Sequence, residues 1–282
     1  MPFVQTADRT ALFYKDAGSG RPVVFVASWG LCSDMWDYQV VDLASRDLRC
    51  ITYDRRGHGR SDAPERGHDY DTFAGDLATL LEHLDLRDVT LVGHSMGGAQ
   101  VVRYLTRHGS ERVSGIVLVA PTTPFLLKTP DNPRGLDATL LDELVYTPLM
   151  RDRPKWLADN ARPFFVAKTS AAMTHWVMQL MLQPSLRTMV DEARMRDRAD
   201  FRDELRAITV PALIVHGDAD VSVPIEFGRM TAQLVPNCAL SEYAAAPHGL
   251  FITHAQRLND DIHAFARASL RRETIPSVRR QG

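Results

Sequence analysis

A chain of 282 residues, 45% hydrophobic and 24% charged, is long enough to bury a large core and has the balance of a soluble globular protein. Its 33 basic and 35 acidic side chains leave a formal charge of −2, which excludes the basic footprint of a nucleic-acid or anionic-membrane binder. Cys32, Cys50 and Cys238 show neither C-x-x-C spacing nor an even framework, and no signal-peptide pattern or apolar stretch of about 20 residues is present, so a reduced, cytoplasmic protein is expected.

In chain order, Phe3-Val4 and Ala11 to Tyr14 flank the polar stretch Ala7 to Thr10, which predicts two edge strands joined by a turn. Gly18 to Pro22 breaks the chain before Val23 to Ala27, a continuous apolar run that suits a strand buried on both faces. Met35, Trp36, Val40, Val41, Leu43 and Ala44 follow at helical spacing, and Leu48 to Tyr53 predicts a strand closed by the polar, glycine-rich turn Asp54 to Asp62. Phe73, Leu77, Leu80, Leu81 and Leu84 predict a helix. Val89 to Val92 and Val113 to Ala120 predict strands on either side of a helix carrying Val101, Val102 and Leu105. Buried strands alternating with amphipathic helices imply an α/β protein, its mostly parallel sheet covered on both faces.

The rhythm stops at Pro121. Residues 122–203 hold no clear β run, and seven prolines punctuate short helical pieces, which predicts a helical insertion capping the carboxyl edge of the sheet. Alternation resumes with a strand over Ile208 to Gly217, a helix from Ile225 to Leu234, a strand from Ala239 to Tyr243 and a last helix over 251–270. The expected division is a core of residues 1–121 and 204–270, a cap of 122–203 and a flexible tail of 271–282.

Within the core, Gly93-His94-Ser95-Met96-Gly97 is G-x-S-x-G set between a strand and a helix, the pattern of a nucleophile elbow. A serine hydroxyl must lose its proton as it attacks, so the motif carries chemistry only if a base and an acid join it. Val215 to Pro224 places Asp218 and Asp220 beyond a strand's carboxyl end, and Asp220 is preferred because Asp218, nearer the glycine turn, suits a backbone cap. Ala246-Pro247-His248-Gly249 then puts a histidine between the last strand and last helix, completing the chain order serine, acid, histidine. An oxyanion needs two N–H donors; Met96, after the nucleophile, and Trp29, in the loop after Val23 to Ala27, are the candidates, with side chains that would keep water from the pocket.

The other histidines suit structural roles: His94 packing behind the elbow, His216 satisfied in a strand end, and His83, His108, His254 and His263 on helices. No metal-ligand spacing is present, and the turn from Asp54 to Asp62 lacks phosphate-loop spacing, so ion-paired structure is expected there and neither a metal nor a cofactor is expected anywhere.

Taken together, Asp34 to Gln39, Tyr53 to Asp62, Gly93 to Gly98, His216 to Pro224 and Ala246 to Phe251 make the chain resemble an α/β-hydrolase, in the branch of bacterial arylesterases and cofactor-free haloperoxidases, or perhydrolases. The resemblance runs from about Thr6 to Leu270. It implies a twisted, mostly parallel eight-stranded sheet with a helical cap, a Ser95–Asp220–His248 triad, an oxyanion hole from the Trp29 and Met96 amides, and an acyl-enzyme mechanism without cofactor. One departure stands out: Ala27-Ser28 replaces the His-Gly usual before the oxyanion residue, which removes a side chain that braces the loop. Gly30 stands where relatives favouring peracid chemistry often have proline, which tilts the expectation towards hydrolysis.

Six of the ten methionines fall in residues 122–203. Together with Trp156, Phe164, Phe165, Trp176 and Met181 they predict an apolar, adaptable pocket. The expected activity is hydrolysis of apolar or aromatic carboxylic esters, lactones included, acting on small molecules with no nucleic-acid or membrane partner; a homo-oligomer stays open. The alternatives are a perhydrolase that makes peracids from carboxylic acids and hydrogen peroxide, and a ligand-binding protein on a hydrolase scaffold with no turnover.

Overall fold

The computed structural model describes residues 2–166 and 168–268. Eight strands, β1 (Phe3–Gln5), β2 (Ala11–Ala17), β3 (Arg21–Val26), β4 (Leu48–Tyr53), β5 (Val89–His94), β6 (Val113–Val119), β7 (Ala212–Gly217) and β8 (Cys238–Tyr243), form one sheet in the order β1-β2-β4-β3-β5-β6-β7-β8. The pairs β1–β2 and β2–β4 are antiparallel and all others parallel. β2 is therefore an inner strand, not the second edge that the sequence suggests, because its far side pairs Tyr14 to Ala17 with Tyr53 to Cys50.

Helices α1 (Asp37–Leu43), α2 (Tyr70–His83) and α3 (Met96–His108) cross between the first strands. Among the described residues, six α-helices lie between β6 and β7, with a π-helical turn over Asp142–Tyr146 joining the first two: α4 (Ala138–Leu141), α5 (Thr147–Arg151), α6 (Arg153–Phe164), α7 (Ala171–Met181), α8 (Leu186–Arg198) and α9 (Arg202–Arg206). Then come α10 (Ile225–Leu234), α11 (Leu250–Thr253) and α12 (Ala255–Ala268). The single last helix expected from spacing is thus two, separated at His254, whose backbone leaves the helical region.

Strand alternation sorts the core into two layers. Val24 and Val26 of β3 join Leu91, Ile116 and Leu118 against Phe73, Leu77 and Val102 of α2 and α3. Val23 and Phe25 point the other way, joining Val92, Val117 and Val215 against Leu43, Leu258 and Ile262 of α1 and α12. Such double burial is what a continuous apolar run means physically. Between β6 and β7 no strand among the described residues joins the sheet; prolines punctuate the helices, with Pro148 and Pro154 each opening one and Pro163 in the last turn of α6. Ser170 and Ser185 cap α7 and α8 by accepting from Met173 and Thr188 N–H. No described helix is long and apolar enough to cross a membrane.

The strand order carries the site. After β3 the chain steps to β4 on one side and returns to β5 on the other, so the loops leaving β3 and β5 open side by side at the carboxyl edge, where open α/β sheets bind ligands.

Candidate active site

Ser95 follows β5 directly and holds φ 55°, ψ −119°, a conformation that costs a non-glycine residue about 1–3 kcal/mol. Its neighbours hold it there: Ser95 N–H donates to Val119 O at 2.8 Å, and Ser95 O accepts from Gly98 N–H at 3.0 Å. The bend is tight enough that a methyl group on Gly97 would lie 2.5 Å from the Val26 and Ala27 carbonyl oxygens. Glycine there lets α3 start immediately beneath the serine and beside the loop after β3.

Three side chains from three loops meet at this bend. Ser95 Oγ lies 3.0 Å from His248 Nε2, and His248 Nδ1 lies 2.7 Å from Asp220 Oδ2. All three are nearly buried, with Ser95 and His248 at 4% exposure. Asp220 Oδ1 accepts from the Ser222 and Val223 N–H groups at 2.9 and 2.8 Å, which aims Oδ2 at the imidazole. Burial alone would raise the Asp220 pKa. The adjoining His248 charge, hydrogen bonds from His216 and His248 and the Val223 N–H outweigh it and hold the carboxyl well below the usual range. An ionised carboxylate only accepts, so Nδ1 carries the proton and the Nε2 lone pair faces Ser95. Asp218 takes no part, since its Oδ1 accepts from Ala245 N–H at 2.6 Å.

Two further histidines support the cluster. His94 Nε2–H donates to His248 O at 2.9 Å, and its ring packs 4.8 Å from that of His248. Burial, and then the neighbouring His248 charge, push the His94 pKa down to about 3, so it stays neutral. His216 Nε2–H donates to Val223 O at 2.8 Å and lies 3.4 Å from Asp220 Oδ2.

Met96 opens α3, where its N–H has no intrahelical acceptor, and Trp29 N–H finds no protein acceptor among the described residues. Of the two, Met96 directly follows Ser95, and Trp29 lines the same cavity as Ser95. Their side chains differ: Trp29 lines the cavity and donates Nε1–H to Met189 O, whereas Met96 is wholly inside the core beneath the sheet edge.

A cavity of about 410 Å³ opens over Ser95 and His248. Of the five expected pocket residues, Trp156, Phe164, Phe165 and Met181 line it. Trp176 does not. One position before Val177, it turns off the cavity face of α7 and packs edge-on to Tyr38 at 6.4 Å. Phe164 also meets the His248 ring edge-on at 5.5 Å, and its carbonyl accepts from Gly249 N–H at 2.8 Å, joining α6 to the histidine loop.

A family model described as the alpha/beta hydrolase fold matches residues 21–255. The chain belongs to the α/β-hydrolase family. This α/β-hydrolase is 42% identical over 276 residues to a non-heme haloperoxidase of Rhodococcus erythropolis, covering 94% of this chain and 99% of the relative. Its fold matches a bromoperoxidase from Bacillus anthracis with TM-score 0.90 at 35% identity, over 94% of this chain and 99% of that one. An esterase from Exiguobacterium antarcticum matches at the same TM-score and 31% identity, over 94% and 98%. The hydrolase therefore falls in the branch that holds haloperoxidases and esterases. Among the described residues, no group of three or more His, Cys, Asp or Glu side chains is arranged to hold a metal ion.

Spacing missed two features of the hydrolase. Arg55, in the turn after β4, is more than an ion-paired structural residue: it donates to Ala27 O at 2.7 Å and Ser28 O at 3.3 Å, and Nε donates to Gln100 Oε1 at 3.2 Å. The guanidinium thus grips the loop after β3, where Ala27-Ser28 brings no bracing histidine. Arg55, His58 and His68 in turn surround the fully buried Glu192 of α8 at 3.6–3.8 Å. On α8, Met189, Glu192, Ala193 and Arg196 share one inward face, and charged residues on an otherwise apolar stripe were the available signal. The remainder of the turn is ion-paired, with Asp54 held by Arg60 and Ser33 N–H, and Arg56 by Asp76 and Asp8.

Proposed function

We propose that this protein is a serine hydrolase of apolar carboxylic esters, with Ser95 as nucleophile, His248 as general base and then acid, and Asp220 as its orienting carboxylate. The supporting observation is the continuous contact from Ser95 Oγ through the His248 imidazole to Asp220 Oδ2 at the floor of a largely apolar cavity. Ser95 Oγ attacks the acyl carbon as its proton passes to His248 Nε2, and the Trp29 and Met96 amides receive the oxyanion. His248 returns the proton to the departing alkoxide. Water then enters by the same route and attacks the acyl carbon as it loses a proton to His248, which returns that proton to Ser95 Oγ as the acyl–oxygen bond breaks and the acid leaves. Residues 122–203 serve as the cap that keeps bulk water from the acyl-enzyme. Leu126, Leu157, Val177 and Met181 favour apolar acyl or alcohol groups, including lactone rings.

The test is hydrolysis of p-nitrophenyl esters together with labelling by a fluorophosphonate. Turnover with covalent label at Ser95, both lost in Ser95→Ala, is the expected outcome. Tight ligand binding with neither turnover nor label overturns the reading in favour of a non-catalytic binding protein.

The haloperoxidase and bromoperoxidase relatives favour a second reading, perhydrolysis, in which hydrogen peroxide replaces water on the acyl-enzyme and the peracid oxidises halide. Gly30 weighs the other way. Its φ of +70° is one proline cannot adopt, so the proline associated with peracid chemistry does not fit this loop as built. Monochlorodimedone halogenation in acetate with peroxide, compared with ester hydrolysis by the same preparation, separates the two.

A further inference from the structure

Building on the serine-hydrolase reading of this cavity, we propose that Arg196 is a specificity-determining residue that binds a second, uncharged carbonyl oxygen on the substrate, such as a ketone or amide remote from the scissile ester. Among the described residues lining the cavity, Arg196 is the one permanently charged cation, in a lining otherwise dominated by leucine, valine and aromatic side chains. Its placement is built. Nε–H donates to Asp197 Oδ1 at 2.6 Å, Asp197 Oδ2 accepts from Tyr146 O–H at 2.5 Å, and the guanidinium carbon lies 5.0 Å from the centre of the Trp29 ring. The group is thus anchored along one edge and one face.

What stays open is the other edge. Nη1 and Nη2 donate to no protein acceptor among the described residues, and neither is sealed inside protein. A guanidinium taken out of bulk water is stabilised only as far as its N–H groups find acceptors, so an oxygen brought by a ligand completes the site. Trp29 links the two positions: its ring lies against Arg196, and its backbone amide is the proposed oxyanion donor, so the second carbonyl and the reacting one share a single cavity with this residue. Asp197 decides the charge. It already neutralises Arg196, so a substrate carboxylate would add an uncompensated anion to an apolar cavity, whereas a neutral carbonyl takes the same N–H groups without that cost.

The experiment measures kcat/KM of the intact protein on matched ester pairs. In one series, p-nitrophenyl esters of straight-chain acids are compared with counterparts in which one chain methylene is a ketone. A second series places the ketone in the alcohol, and a third ends the acyl chain in a carboxylate. The expected result is a preference of about tenfold or more for the ketone ester in one of the first two series, expressed in KM. That ratio falls to about one in Arg196→Met and is partly restored in Arg196→Gln, which keeps an N–H donor. Hydrolysis of plain esters with no ketone preference in either series of the unaltered protein overturns the assignment of Arg196 while leaving the hydrolase reading in place, and this arm needs no variant to fold. A preference for the carboxylate esters overturns the choice of an uncharged acceptor. No hydrolysis of any ester overturns the hydrolase reading itself, and the Arg196 assignment falls with it.

Discussion

At the scale of single residues, the three-membered contact at the elbow sets the largest expected effects. Ser95→Ala and Asp220→Asn are each expected to lower kcat by about 10³–10⁴-fold or more with little change in melting temperature, checked by ester kinetics beside thermal unfolding. Asn at 220 supplies an N–H towards Nδ1 and so favours the wrong imidazole tautomer. His94 makes a separate prediction about acid. In the unfolded chain it takes up a proton near 6.5, and in the folded protein only near pH 3. The unfolded state therefore binds more protons between those values. Stability from this group is complete above about pH 6.5 and is lost as pH falls towards 3, at a limiting slope near 1.4 kcal/mol per pH unit. Urea midpoints measured from neutral pH to pH 4 should decline, and His94→Gln should flatten the decline; an unchanged slope removes His94 as its cause. Asp220, whose carboxyl is held well below its ordinary value of 3.8, adds stability that is complete above that value and is lost progressively as pH falls below it.

At the scale of elements, the loop after β3 shows how a turn can be fixed from behind. Its carbonyls at Ala27 and Ser28 accept from Arg55 rather than from a side chain of the loop's own. Arg55→Lys keeps the charge facing Glu192 but loses the fork that spans two carbonyls and Gln100. The expected result is a fall in kcat of about 10- to 100-fold, as when one oxyanion donor is misplaced, with KM little changed and slower phosphonylation of Ser95. Strand runs, the elbow and the order of Ser95, Asp220 and His248 were legible because each is a local pattern: apolar continuity, glycine spacing, loops after strand ends. The grip of Arg55 was not, because two carbonyls 27 and 28 positions away leave no mark on the spacing around an arginine. Trp176 was misplaced for a related reason, since composition marks an apolar helix without saying which side of it faces the cavity. β2 looked like an edge because its mixed pattern of burial along Ala11–Ala17 reads the same whether one or two neighbours pair with it.

At the scale of the whole molecule, the fold brings a sheet edge and a helical insertion together around one chamber, and the chamber's rim is apolar. Leu140 and Leu144 of the insertion, 51% and 64% exposed, and Val221, 67% exposed, all border it. Replacing Leu144 by Asp is expected to lower kcat/KM for long-chain esters roughly tenfold relative to acetyl esters, since only the longer chains gain from that apolar border; equal losses on both would place the leucine outside the substrate's path. The lack of a sheet strand between β6 and β7 was readable from the missing β pattern, and the alternation on either side was enough to give the mostly parallel sheet. The size of the chamber and the charged pair within it follow from how segments distant in the chain stack, which no single stretch encodes. One hydrogen bond ties these parts more closely than their separation in the chain suggests: the amide of Gly249, next to His248, is held by the carbonyl of Phe164 at the end of α6. The end of α6 and the loop that carries His248 are thus fastened to each other. On the proposed hydrolase reading, displacing the end of α6 would draw the imidazole away from Ser95, so esters that enter without moving α6 are expected to turn over faster than bulkier ones that must move it.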